Sequence, residues 1–185
     1  MVVQLKYRDE YSKLLIRAKI GDSKAFDNLH RGLERGADPN IRQESSVTPL
    51  AFAAYSGHVD IMMILIAHGA YPHRGSVMEL AARGGHIKAV KVLLKHGVDI
   101  NVKGTDEYTA LGTAVSHRRV KLVKFLLSKR ADVNARAIYG ATPLQVACWN
   151  NDLKIGRILL QHGANPTLEC NGRKMPQFFI DKLRK

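Results

Sequence analysis

The sequence predicts an all-α fold: a solenoid of stacked helix–turn–helix units joined by short hairpin links. Three observations predict it. The tetrapeptide Thr48-Pro49-Leu50-Ala51 returns as Thr142-Pro143-Leu144-Gln145, with weaker echoes at Thr109-Ala110-Leu111-Gly112 and Ser76-Val77-Met78-Glu79. Thr142 follows Thr109 by 33 residues, and Thr109 follows Ser76 by the same 33; a fixed period of this size marks a stacked-repeat architecture. Inside each period, small residues, a turn and paired apolar residues recur in one order.

That order sets the elements. In the second repeat Leu50, Ala53 and Ala54 mark a short first helix, Gly57-His58 a turn, and Ile61, Ile64 and Leu65 a second helix at helical spacing. Gly69-Ala70 ends it, as glycine does where a chain turns left-handed. The series continues in Leu80-Ala81-Ala82, Gly85-His86, Val90, Leu93-Leu94 and Gly97, and again in Leu144, Ala147, Ile155, Leu159-Leu160 and Gly163. Alanines in the first helices permit close approach, and the paired leucines fill the core between repeats.

With Gly-Ala-Asp-Pro-Asn at 36–40, Gly-Val-Asp-Ile-Asn at 97–101 and Ala-Asp-Val-Asn at 131–134, the chain resembles the ankyrin repeat family over nearly its whole length. The resemblance implies an ankyrin-repeat solenoid. One domain is expected over 1–185, with repeats at about 11–43, 44–73, 74–106, 107–139 and 140–172. A C-terminal capping helix within 173–185 would close the stack through Met175 to Ile180, with Lys182, Arg184 and Lys185 giving that end a polar surface.

Departures from the repeat carry information. The family's usual Thr-Pro-Leu-His ends here in Ala51, Glu79, Gly112 and Gln145, so a hydrogen bond typical of the family is missing or replaced. Thr48 and Ser76 stand only 28 residues apart, which leaves the link Tyr71 to Gly75 too short for a projecting hairpin. Gly21 to Gly36 spans three residues more than Gly57 to Gly69, placing about one extra helical turn within Lys24–Glu34. Arg118 and Asn151 take the turn position that Gly57 and Gly85 fill. Asn tolerates positive φ there, whereas Arg is strained if the conformation is kept.

Composition narrows the class. The 185 residues are 45% hydrophobic, enough for a core, and carry a formal charge of +13, which favours acidic partners. No apolar run approaches the roughly 18 residues of a membrane span, and no secretory h-region opens the chain. Cys148 and Cys170 make no disulfide framework, so a reducing, cytoplasmic location is expected. Cys148 replaces a core alanine and is expected to be inert, while Cys170 is expected to be exposed in the last hairpin. No phosphate-cradling glycine loop, His-Glu-x-x-His or nucleophile elbow occurs, so no enzyme activity and no cofactor are expected. Asp106-Glu107 falls in a hairpin facing water. His68, His96 and His162, before Gly69, Gly97 and Gly163, and His58 and His86, after turn glycines, stand a repeat apart, too far for one metal.

Two surfaces remain. The resemblance places partner contacts on the concave first-helix face and the hairpin tips. Tyr55 and Trp149 fall at the same exposed first-helix position, Tyr108 and Tyr139 in hairpins, and Arg83, Ser116 and His117 on the same face, with Arg118 beside them. Tyr, Trp and Arg dominate interface hot spots. On the convex side, Lys88, Lys121 and Lys154 form one column, and Lys91, Lys124 and Arg157 another three residues on. The segment 109–141 counts seven basic residues against the single acid Asp132. The expected function is a monomeric, non-enzymatic protein-binding module, host-directed or regulatory, whose acidic protein partner docks on the concave face and hairpin tips of repeats three to five. The alternative is polyanion binding, to nucleic acid or an anionic membrane surface, through the convex ladder. The resemblance also places Asn101 and Asn134 where family members can be hydroxylated.

Overall fold

The computed structural model describes residues 23–41, 47–105, 107–137 and 140–184. The first helix expected in repeat one, Gly21, Asp106, Tyr139, the Arg184 side chain and Lys185 lie outside the described residues. Ten helices are described: α1 (Ser23–Glu34), α2 (Pro49–Ser56), α3 (Val59–Ala67), α4 (Gly75–Gly84), α5 (Ile87–Lys95), α6 (Ala110–Ser116), α7 (Val120–Ser128), α8 (Pro143–Trp149), α9 (Leu153–Gln161) and α10 (Gln177–Arg184). The chain divides into two compact units at Val98/Asp99, so that α1–α5 belong to the N-terminal unit and α6–α10 to the C-terminal unit.

The repeated threonines start the first helices by capping them. The hydroxyl of Thr48 accepts from Ala51 N at 3.3 Å, that of Thr109 from Gly112 N at 3.4 Å and that of Thr142 from Gln145 N at 3.3 Å. Each bond satisfies an amide that the helix itself leaves without a partner, and such a cap contributes about 1 kcal/mol. Repeat three differs. Val77 stands where Pro49 and Pro143 stand, and its N–H donates to Arg74 O at 2.9 Å. The helix therefore reaches back to Gly75 with Arg74 at the N-cap, and Ser76 lies inside the helix.

The second helices α3, α5, α7 and α9 each run nine residues, whereas α1 runs twelve. The three added residues carry the extra turn that the wider glycine spacing implies.

Packing follows from face and size. In the N-terminal unit α2 packs on α4, α3 on α5 and α1 on α3; in the C-terminal unit α6 packs on α8, α7 on α9 and α9 on α10. First helices thus stack on first helices, and second on second. Ala53, Ala54, Ala81 and Ala82 are fully buried, as are Leu65, Leu93, Leu126 and Leu159 from the second helices. The approach is so close that a Cβ on Gly84 would run into the Tyr55 carbonyl oxygen and the His86 ring. The expected closing helix, α10, buries Phe179 and Leu183, whose side chains lie over Gly156 of α9.

Asparagines tie successive links together. Asn40 donates to Gly69 O and accepts from Tyr71 N, both at 2.9 Å. Asn101 Oδ1 accepts from Asp132 N and Asn134 Oδ1 from Asn165 N, each at 2.8 Å. The side-chain oxygens of Asn101 and Asn134, at positions where family members can be hydroxylated, are therefore already bonded. Gly104 N donates to Tyr108 O and Ala137 N to Ala141 O at 2.9 Å, closing hairpins in the links before α6 and α8. In the link before α4, Pro72 and His73 form only a turn.

The turns retain their left-handed conformation whatever residue occupies them. Gly57 (φ 75°) and Gly85 (φ 82°) are matched by Arg118 (φ 54°) and Asn151 (φ 50°). Arg130 (φ 62°) does the same at the end of α7, where the other second helices are followed by Gly36, Gly69, Gly97 and Gly163. A side chain in this region costs about 1–2 kcal/mol.

Two outcomes follow for stability. Gly84→Ala should destabilise by about 1–3 kcal/mol, because the obstacle is backbone and helix separation must grow; an unchanged urea midpoint would contradict this packing. Arg130→Gly should raise the urea midpoint, by roughly 0.5–1 kcal/mol after allowance for the freer unfolded glycine; a lower midpoint would show that Arg130 is unstrained.

Candidate functional site

The frame determines which expected contacts are available. Tyr55 is the next-to-last residue of α2, after Ala53-Ala54, and Trp149 ends α8, after Ala147-Cys148; they are turned outward at 45% and 63% exposure. Tyr108 is only half-buried at the foot of α6. Its ring occupies the space a Cβ on Gly112 would take, so the glycine at the fourth motif position makes room for the tyrosine. Tyr139 lies outside the described residues.

The polar residues expected on this face have structural partners. Arg83 Nη2 donates to Glu79 Oε1 at 2.9 Å. The Glu79 carboxylate is almost fully buried, so the guanidinium supplies the charge that makes its burial tolerable. Arg118 Nη2 donates to Asn150 O at 2.7 Å, and Asn150 Nδ2 returns a bond to Ser116 O at 3.3 Å. This reciprocal clamp ties the left-handed turn after α6 to the end of α8. His117 Nδ1 lies 3.0 Å from Thr113 O in the last turn of α6. Arg83, Arg118 and His117 remain partly solvent-exposed while making these bonds.

All six columnar cations are exposed, with Lys88 and Lys91 in the N-terminal unit and Lys121, Lys124, Lys154 and Arg157 in the C-terminal unit. Arg157 Nη2 donates to Lys182 O at 3.1 Å, holding α10 against α9. Lys121, Lys124 and Lys154 project from α7 and α9, which pack on each other.

The fourth motif position supplies more than a missing histidine. Gln145 completes a capping box: its Oε1 accepts from Thr142 N at 2.7 Å while Thr142 caps its amide. Its Nε2 donates to Leu168 O at 2.7 Å, so the lost family bond is replaced and the last link is fastened to α8. That link ends in a two-residue hairpin. Cys170 and Arg173 exchange backbone bonds of 3.0 and 2.9 Å, and Asn171 (φ 48°) and Gly172 (φ 69°) turn the chain. Both central residues have positive φ, as Asn-Gly favours in such turns.

Between α8 and this hairpin lies a cleft of about 460 Å³, lined by Gln145, Cys148 and Trp149, by Cys170, Asn171 and Arg173 of the hairpin, and by Lys174 to Pro176 beyond it. Here the sequence expectation for Cys170 is corrected: it is buried. The two-residue tip projects only Asn171 and Gly172, so Cys170 sits at the paired base of the hairpin and faces the cleft. Burial pushes the Cys148 thiol up from its usual range, which leaves it protonated and poorly nucleophilic at neutral pH.

Sequence reasoning did not single out the exposure of Tyr71 and Phe178, at 59% and 61%. Arg74 lies over the Tyr71 ring at 5.9 Å and Lys182 over the Phe178 ring at 5.8 Å. The cleft was also missed, although Asn171-Gly172 was a legible hairpin signal. Among the described residues no three His, Cys, Asp or Glu side chains gather as a metal site would require, and no helix is long and apolar enough to cross a membrane.

Comparison with known proteins agrees with the repeat geometry. The family model for ankyrin repeats (3 copies) matches residues 14–104 and again 80–170. A 73-residue stretch, 39% of this chain, is 41% identical to ankyrin repeat domain-containing protein 49 of Bos taurus and 40% identical to the protein of that name from Homo sapiens, in each case over 30% of the relative. Another match, 39% identical over 67 residues and 36% of this chain, is to the 2-5A-dependent ribonuclease of Mus musculus, covering 9% of that protein. The chain thus aligns with less than a third of the length of each of these relatives. Helix pairs stacked first on first and second on second, threonine-capped first helices and a repeat model matched between residues 14 and 170 carry one conclusion: the chain belongs to the ankyrin repeat family.

Proposed function

We propose that the chain is a non-enzymatic protein-binding module that docks an acidic protein partner on its first-helix face, with Trp149 the principal anchor. Ankyrin repeats are in general protein–protein interaction modules, and the fold offers them as exposed helix ends and hairpins. The observation that carries the reading is the outward placement of Tyr55 and Trp149 at one repeat position, in a chain with 6% aromatic residues. Water-facing indole and phenol rings offer large apolar area at low entropic cost when a partner covers them. In the C-terminal unit Tyr108, His117 and Arg118 extend the proposed surface, Arg118 reaching the carbonyl next to Trp149; in the N-terminal unit Arg83 belongs to α4, the helix that α2 packs against. Arg118 and Arg83 would contribute positive field there while keeping their internal bonds.

Affinity capture with the purified chain, followed by mass spectrometry, should recover a partner whose retention falls at least about tenfold with Trp149→Ala. Equal retention by wild type and variant would sink the anchor assignment.

A second reading, polyanion binding, is favoured by one observation. Lys121, Lys124 and Lys154 are exposed on the adjoining helices α7 and α9. Phosphate contacts release counterions and give steep salt dependence. Wild type should then bind double-stranded DNA or anionic vesicles at low salt, and K121E/K124E/K154E should abolish it. No binding by wild type at low salt excludes this reading.

A further inference from the structure

We propose that the cleft between α8 and the last hairpin receives an extended acidic segment of the partner protein, with one apolar side chain seated in the cleft and a neighbouring carboxylate held by Arg173 and Lys174. This rests on the protein-binding reading and specifies the chemistry that the surface selects.

The cleft has an apolar floor and a cationic rim. Cys148, Cys170 and Met175 provide the floor, and both sulfhydryls are shielded from bulk water to some degree. Burial pushes the Cys148 thiol further up, which keeps it protonated and the floor uncharged at that residue. Both amide atoms of Gln145 are already bonded, to Thr142 and to Leu168. The interior therefore suits a hydrophobic side chain, and a volume of about 460 Å³ lies within the usual range for ligand sites.

The rim is formed by Trp149, Asn171, Arg173, Lys174 and Pro176, and no acidic residue lines the cleft. Arg173 makes no side-chain hydrogen bond or ion pair with a described residue. Lys174 approaches Glu169 at 4.0 Å, with the two side chains 80% and 48% exposed, a pairing that water weakens. Across residues 99–185 Lys and Arg outnumber Asp and Glu by 15 to 7. Asp99, Asp132 and Asp152 accept backbone amides, Glu107 meets Lys103, and Asp181 accepts from Gln177. A carboxylate of the partner would complement this rim.

The walls are set before a ligand arrives. Arg136 Nη1 donates to both Gly140 O at 3.0 Å and Glu169 O at 2.8 Å, linking two successive hairpins. Gln145 holds Leu168, and the Cys170–Arg173 pair closes the tip. A backbone fixed in advance lowers the ordering cost of binding, leaving the Arg173 and Lys174 side chains to be ordered by the ligand. Nucleic acid fits less well, because one indole is no succession of stacking platforms.

Trp149 is the one tryptophan of the chain, so its fluorescence reports on this rim alone. The probes are a short synthetic peptide of Asp and Glu flanking a central Leu-Phe, its Asn/Gln counterpart, its Ala-Ala counterpart, and oligothymidylate. The acidic Leu-Phe peptide should give a saturable change in emission at 0.1 M salt. Loss of either its charge or its apolar pair should weaken binding by about tenfold or more, as should R173E/K174E in the protein. R173Q/K174Q, checked for unchanged thermal unfolding, should give an intermediate loss and separates charge from misfolding. The proposal is overturned if the acidic peptide leaves Trp149 emission unchanged to millimolar concentration, if R173E/K174E binds it as wild type does, or if oligothymidylate binds more tightly at the same site. Should the peptides fail while a captured partner still depends on Trp149, the protein-binding reading stands and the acidic-anchor chemistry is wrong.

Discussion

A helix pair of two short helices cannot bury its own apolar faces, and everything else in this chain depends on that. Nine residues of α3 or α9 make about two and a half turns, too few to be stable alone in water. Each pair becomes stable when its neighbour covers it. Close stacking requires small residues on the first helices and large ones on the second, which is why Ala53, Ala54, Ala81 and Ala82 vanish from solvent beside Leu65 and Leu93. The same demand explains Gly84, where even a methyl group would meet the Tyr55 backbone.

Stacking in turn dictates the connections. Each pair must reverse direction within a few residues, so the backbone goes left-handed at the inter-helix turn even when the residue is Arg118 or Asn151. Tertiary contacts compensate for the local preference. The Arg118 guanidinium reaches Asn150 O, and Asn150 reaches back to Ser116. A residue that reads as an exposed cation is thereby a strut, and the same is true of Arg83 beside the buried Glu79. Their charge still contributes to the field of the surface, but their geometry is constrained by the fold.

The surfaces follow from what stacking leaves over. First helices α6 and α8 are buried along most of their length, and it is near the C-terminal ends of α2 and α8 that Tyr55 and Trp149 emerge into solvent. The last hairpin then adds what the helices lack. Its Asn-Gly tip turns within two residues, so Cys170 points inward while Arg173 and Lys174 stay at the rim next to Trp149. An apolar floor beside a cationic edge is a selective surface because the two features reward different parts of one ligand.

Much of the fold was legible in the residues. The threonine ruler located the first helices, the glycine spacing located the turns and the longer α1, and the shortened spacing identified the link without a hairpin. Local chemistry suffices for these features, because caps, turns and apolar periods act over a few residues. The exposure of Tyr55 and Trp149 was legible for the same reason. What the residues alone did not reveal depends on partners distant in sequence. Cys170 is buried because its hairpin folds toward α8, and Gln145 replaces the family's histidine by reaching Leu168. The sequence by itself determined the repeat, its order and its breaks, since each is written in neighbouring residues. Only the tertiary structure decided which cations are internal struts and which rim a cleft, because that depends on where the stacked backbone brings a distant carbonyl or carboxylate within reach.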